Sequence, residues 1–152
     1  MLEPKRIARE EIRLPKTLDV LFYLPASEEL RNKGVILAHA LQYSVCSRGS
    51  TQEDALERLI RDVIARCELA AERGVHPVNI AGAPYMKAFF MGDPVQETPQ
   101  MAEIRVKLSQ ELRKRFDVSG EGDIVLEMRA RSVCQQQKQL RAACVADLVK
   151  AA

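Results

Sequence analysis

Residues 38–60 of this 152-residue chain read AHALQYSVCSRGSTQEDALERLI, and the stretch contains the strongest structural signal in the sequence. An apolar run holding one histidine is followed by a turn and then by a helix start. Thr51 is suited to accept backbone N–H groups as an N-cap, with Asp54 completing a capping box three residues later. Ser50 with Glu53 offers the same motif in an alternative register.

The residues after this start recur at steps of three and four, which is the spacing of one buried helix face. The apolar positions are Leu56, Leu59, Ile60, Val63, Ile64, Cys67 and Ala71. Gly74 follows them and is typical of a helix end. The sequence therefore predicts one long amphipathic helix over residues 51–74.

The region before this helix predicts strands. Residues 17–25 are rich in β-branched, aromatic and leucine side chains and end at a proline. Residues 35–47 form either one long bent strand or two strands that meet near Gln42, and residues 26–34 read as a polar connection with one possible helical turn. We expect an α+β protein in which a small antiparallel β-meander packs on the long helix.

The C-terminal third predicts further β and helical structure. Ile104, Val106 and Leu108 alternate with Arg105 and Lys107, which indicates a strand. A short helix from Ser109, a strand at 123–129 and a helical tail at 132–152 are expected to follow. The predicted organisation is an arm at 1–16, an α+β domain at 17–95 and a C-terminal strand and helix extension at 96–152.

The amino-acid composition disfavours several classes of function. The chain has 23 basic and 21 acidic residues, a net charge of +2, which neither requires nor excludes nucleic acid. Aromatic residues make up 5% and tryptophan is absent, which disfavours base stacking on single strands. The four cysteines form no C-x-x-C pair, so we expect no structural metal and no cofactor. With no apolar leader and no membrane span in the sequence, we expect a cytoplasmic protein that does not contact a membrane.

The turn and helix start resemble the HicB-like family of bacterial antitoxins and their orphan relatives. The family pattern is Gly, any residue, Thr, any residue, two acids and Ala, and it is matched by Gly49, Thr51, Glu53, Asp54 and Ala55. An Ala-His step in the preceding strand, found in some relatives, is similar to residues 38–39. The resemblance covers about residues 17–80. The Pro-Gly-Cys step of many members is missing, and the connection before residue 35 is longer and more charged.

The resemblance implies a β-β-β-α-β domain, described for the family as a partial ribonuclease H fold without its catalytic carboxylates. It implies a non-enzymatic antitoxin-type or orphan regulatory protein that binds a small toxin protein and is itself a homo-oligomer. The exposed edge of a small sheet favours either kind of pairing.

Three residues are candidates for a catalytic or metal-binding role. His39 shares a strand face with apolar residues, and we expect a buried, hydrogen-bonded structural histidine rather than a ligand or base. We expect Cys46 to be packed as a small hydrophobe, because no oriented base accompanies it. Asp19 has no second strand carboxylate beside it, so two-metal nuclease chemistry is disfavoured. No catalytic residue is predicted.

The alternative function is a DNA-binding autoregulator. The apolar-basic alternation that leads into a basic helix is similar to a ribbon-helix-helix module, which such antitoxins often carry. By that analogy Arg105, Lys107 and Ser109 would read bases of operator DNA, and Lys114 and Arg115 would contact phosphates. The competing interpretation is an ordinary edge strand and helix with a solvated charged face.

Overall fold

A computed structural model describes residues 6–118 and 126–133 and shows the expected α+β fold. The helices are α1 (Glu28–Asn32), α2 (Gln52–Glu72), α3 (Ala83–Met91) and α4 (Pro99–Arg115). The strands are β1 (Arg13–Leu14), β2 (Thr17–Tyr23), β3 (Ile36–Ala40), β4 (Val45–Gly49), β5 (Asp93–Pro94), β6 (Asp117–Val118) and β7 (Glu127–Ser132). Of the tail helix expected at 132–152, all residues after 133 lie outside the described part of the chain.

A five-stranded mixed sheet has the order β4-β3-β2-β7-β5. Strands β2, β3 and β4 form the predicted antiparallel meander, and the two-strand alternative for residues 35–47 is confirmed. Strand β7 runs parallel to β2, so the meander, the long helix and this strand give the order β-β-β-α-β. Helices α3 and α4 and strand β5 are inserted before β7. The described part of the segment 96–152 therefore shares one sheet with residues 17–95.

The two faces of the sheet pack against different helices and form two separate hydrophobic clusters. On one face, alternate residues of β2, such as Leu18, Val20 and Phe22, pack with α2 and α4 in a largely aliphatic core. On the other face, Leu21 and Tyr23 pack against α3. β2 is buried on both faces, and its sequence is accordingly apolar apart from Thr17 and Asp19.

The first turn of α2 is held close to the end of β4 by capping hydrogen bonds and by a glycine. Thr51 is the N-cap, and its Oγ1 accepts from the N–H of Asp54 at 3.0 Å. The Asp54 carboxylate accepts in return from the N–H of Ser50 at 3.0 Å, one residue earlier than in a standard capping box. A Cβ on Gly49 would lie 2.8 Å from the Cα of Ala55, so only glycine lets β4 approach the first turn this closely.

The predicted strand at residues 104–108 is wrong, because these residues lie inside α4. The Thr98 hydroxyl caps the helix by accepting from the N–H of Met101 at 3.2 Å, and Pro99 occupies the first turn. The buried positions are Met101, Ile104, Leu108, Ser109 and Leu112, which follow helical spacing. The apparent alternation arose from Val106, which is 37% exposed on the opposite side of the helix.

The N-terminal segment is tied to this core. Ile12 and Leu14 are fully buried in the aliphatic cluster, and β1 pairs in parallel with β6. The Arg9 guanidinium lies 2.8 Å from the Glu68 carboxylate of α2 and 5.0 Å from the centre of the Phe116 ring. Among the described residues, no helix is both long enough and apolar enough to cross a membrane.

Candidate functional site: the edge strand β4 and its cleft

The two edges of the sheet differ in how open they are to a further strand. Strand β5 is two residues long and contains Pro94, which has no N–H to donate. Strand β4 has five residues, no proline, and no neighbour on its outer side within the described chain. An edge of this kind is a template for pairing with another chain. The structure therefore offers β4 as its open edge.

A cleft follows this edge. A space of about 320 Å³ is lined by Leu37, Cys46, Ser47, Arg48, Arg58 and Asp62. A second space, of about 450 Å³, is lined by Asp54, Glu57, Arg58, Arg61 and Asp62 on α2. Arg58 and Asp62 line both spaces, so the two spaces together form one groove between the edge strand and α2. We call this groove, with β4, the β4 cleft.

The aspartates of the β4 cleft are held by donors of the same chain. The Asp62 carboxylate accepts from the Ser47 hydroxyl at 2.5 Å. The Asp54 carboxylate is bound by the Ser50 N–H, and this hydrogen bond holds the pKa of Asp54 below its usual range. The same carboxylate lies 3.5 Å from the exposed Arg58 guanidinium. These acids are therefore committed to local structure.

Two arginines of the β4 cleft remain uncommitted. Arg48 projects from β4 on the side away from α2, and Arg61 projects from α2; both are exposed. Neither makes an ion pair or a side-chain hydrogen bond within residues 6–118 and 126–133. A guanidinium carries five N–H donors in a fork that matches a carboxylate. The cleft therefore presents unused cationic donors on both sides of an open strand.

His39 is buried and hydrogen-bonded, as the sequence predicts. It is 5% exposed, and its Nδ1 lies 3.2 Å from the hydroxyl of Tyr23. The Tyr85 ring of α3 meets the imidazole edge-on, with 4.5 Å between ring centres. The histidine thus belongs to the sheet face that α3 covers, opposite the face that packs on the long helix.

The expected burial of both strand and helix cysteines holds for only one of them. Cys67 on α2 is fully buried, and burial raises the pKa of its thiol to about 12. Cys46 is exposed, so the expectation of a packed hydrophobe is wrong there. Its side chain lies on the α3 side of the sheet, but α3 packs on β2 and β7 and does not cover β4. The Cys46 sulfur is 3.5 Å from the Tyr23 hydroxyl.

Asp19 is bound by protein groups. The Arg129 guanidinium of β7 donates to both of its oxygens, at 2.7 and 3.0 Å, and the Gln42 amide donates at 2.9 Å. Within the described residues there is no group of three or more side chains suited to hold a metal ion. A carboxylate satisfied by a guanidinium and an amide is suited to holding strands together.

The residues proposed to read DNA bases do not form one surface. Arg105 is partly buried, with its Nε 2.8 Å from a Glu97 carboxylate oxygen. Ser109 is buried, donates to the carbonyl of Arg105 at 2.9 Å and accepts from the N–H of Leu126 at 2.9 Å. Both side chains are therefore used within the fold. Without the strand at 104–108, the ribbon on which their expected role depended is not present.

The residues proposed to contact phosphates are divided. The Arg115 guanidinium pairs with Glu68 at 3.0 Å and with Glu111 one turn earlier. Lys114 is exposed, with its Nζ 3.5 Å from Glu111, and Lys107, which was expected to read bases, is also exposed on α4. The structure thus leaves the two lysines accessible and engages Arg115. DNA binding through α4 stays a prediction.

Comparison with known proteins found no matching family model, no matching curated protein and no matching solved structure.

Proposed function

We propose that this chain is a non-enzymatic binding protein that takes up a segment of a small partner protein along β4. The observation that carries the proposal is the five-residue open edge beside a groove, at a sheet whose other edge is two residues long and ends in proline. An extended peptide that adds to such an edge gains main-chain hydrogen bonds, and the groove supplies side-chain contacts.

The proposal includes the resemblance to HicB-like antitoxins. The resemblance rests on the turn from Gly49 to Ala55, and the close approach of Gly49 to Ala55 gives that turn a physical reason. In this proposal the partner is a small toxin or a related protein, and the role is regulatory. Pairing of β4 with a second copy of the chain uses the same edge and is the competing occupant.

The test begins with purification of the tagged full-length chain from cells that express it, followed by mass spectrometry. We expect a small protein in stoichiometric amount. Amide hydrogen exchange of the complex should then show protection at β4 and the facing side of α2, with α4 unchanged. Protection confined to α4, or recovery of the chain alone in repeated purifications, would contradict the proposal.

Self-pairing is separated by the oligomeric state. Sedimentation of the purified chain without partner reports whether β4 is already occupied by a second copy. A dimer whose β4 amides exchange slowly would favour the second copy, and a monomer with fast-exchanging β4 amides would favour a separate partner.

A further inference from the structure

We propose that the segment taken up by β4 is acidic, with Asp or Glu side chains in alternate positions. This inference rests on the proposed use of β4 as a binding edge and adds the chemistry of the partner. Its basis is the balance of used and unused hydrogen-bonding groups in the β4 cleft.

The geometry gives an added strand two rows of side chains. It would lie about 4.8 Å from β4, with successive side chains on opposite faces of the sheet. One row would point to the α2 side, where Arg58 and Arg61 lie, and the other would lie alongside Arg48. Each row therefore meets a guanidinium.

The unused hydrogen-bond donors of the groove, rather than its net charge, favour carboxylates over ammonium groups. Three arginines and three acids line the groove, but Asp62 is bound by Ser47 and Asp54 by Ser50 and Arg58. Glu57 is the lining acid without such a bond within the described residues. A carboxylate of the partner can bind the guanidinium groups of Arg48 and Arg61, which have unused donors. A lysine of the partner would instead meet aspartates that already accept hydrogen bonds.

A protein strand explains the cleft better than nucleic acid. The site lies along an open main-chain edge, which a peptide can pair with and a polynucleotide cannot. The lining residues include no aromatic ring, so bases would have no stacking surface.

The test uses two ten-residue peptides with the same threonine and valine framework, carrying either three Glu or three Lys at the same alternate positions. Binding to the full-length chain is measured by fluorescence anisotropy, with amide exchange of β4 as the second readout and a twelve-nucleotide single-stranded DNA as the third probe. We expect the Glu peptide to bind at least about tenfold more tightly than the Lys peptide, to protect β4, and to weaken as salt rises.

The possible failures are distinguishable. Equal or tighter binding of the Lys peptide, with β4 protected, would overturn the acidic inference and leave β4 as the binding edge. Tighter binding of the DNA than of the Glu peptide would also overturn it. If neither peptide binds or protects β4, both the inference and the proposed edge are wrong.

Discussion

Helix α4 and the β4 cleft both carry arginines, but the two regions use them differently. On α4, two of the three arginines, Arg105 and Arg115, are paired with Glu97, Glu68 and Glu111. In the β4 cleft, the aspartates are occupied by local donors, and two arginines have no partner in the described chain. The number of basic residues in a segment therefore does not indicate a binding surface. What matters is how many of their donors are already used.

The largest loss of stability is expected when a paired arginine is removed from a buried carboxylate, as at Arg129. Arg129 donates to Asp19, whose side chain is 7% exposed. Replacing Arg129, whose side chain is 56% exposed, with alanine removes the cation from a buried carboxylate and should lower the free energy of unfolding by about 2 kcal/mol, measured by urea denaturation. The Asp19→Asn/Arg129→Ala double variant should recover part of this loss, because an amide carries no charge. Equal losses in both variants would contradict the account.

Substitution of Ser109 tests whether this residue of α4 stabilises the fold, as its two hydrogen bonds indicate, rather than being available to contact DNA. Ser109→Ala removes the acceptor for the buried N–H of Leu126 and should lower the free energy of unfolding by about 1–2 kcal/mol. Gln110→Ala, at the exposed neighbouring position, serves as the control and should change it little. If Ser109→Ala leaves thermal and urea unfolding unchanged, the serine is not part of the α4 framework.

The pairing of Glu68 with Arg9 and Arg115 predicts a pH dependence. The hydrogen bond from Arg9 lowers the pKa of Glu68 below its ordinary value of 4.5. The stabilisation is therefore present above pH 4.5 and is lost as the pH falls through the lowered pKa. Glu68→Gln should cost about 1 kcal/mol at neutral pH in urea unfolding, and this difference from the unsubstituted chain should shrink as the pH falls below 4.5. Glu57→Gln is the control and should change the free energy of unfolding little at neutral pH, because Glu57 makes no ion pair within the described residues.

The smallest effect on stability is expected in the β4 cleft. Arg48→Glu should change the free energy of unfolding by less than about 0.5 kcal/mol, because Arg48 makes no ion pair within the described residues. Arg105→Glu, which replaces a cation paired with Glu97 by a like charge, should cost more than about 1 kcal/mol. Similar losses for both variants would remove the distinction between used and unused arginines.

The sequence predicted the elements whose signals are local. The cap at Thr51, the stripe of α2 and the meander of β2 to β4 all follow from residue spacing and turn chemistry. The helix predicted from Ser109 is the C-terminal part of α4, and its first turns were missed because Val106 gave an apparent two-residue period. Thr98 and Pro99 mark the true helix start, about three helical turns before Ser109.

The β4 cleft could not be predicted in the same way. Its open edge depends on which strands stand next to each other, and the placement of β7 beside β2 joins residues about 110 positions apart. The state of its arginines depends on whether Ser47 and Ser50 reach the nearby aspartates. Neither fact is contained in local spacing, and the exposure of Cys46 was missed for the same reason.

The central claim, that the β4 cleft rather than α4 is the binding surface, is tested most directly by charge reversal in both regions. Dissociation constants for the Glu peptide are compared between the Arg48→Glu/Arg61→Glu and Lys107→Glu/Lys114→Glu variants of the full-length chain. We expect at least about tenfold weaker binding for the first variant and unchanged binding for the second. Unchanged binding in the first variant, or an equal loss in both, would contradict it.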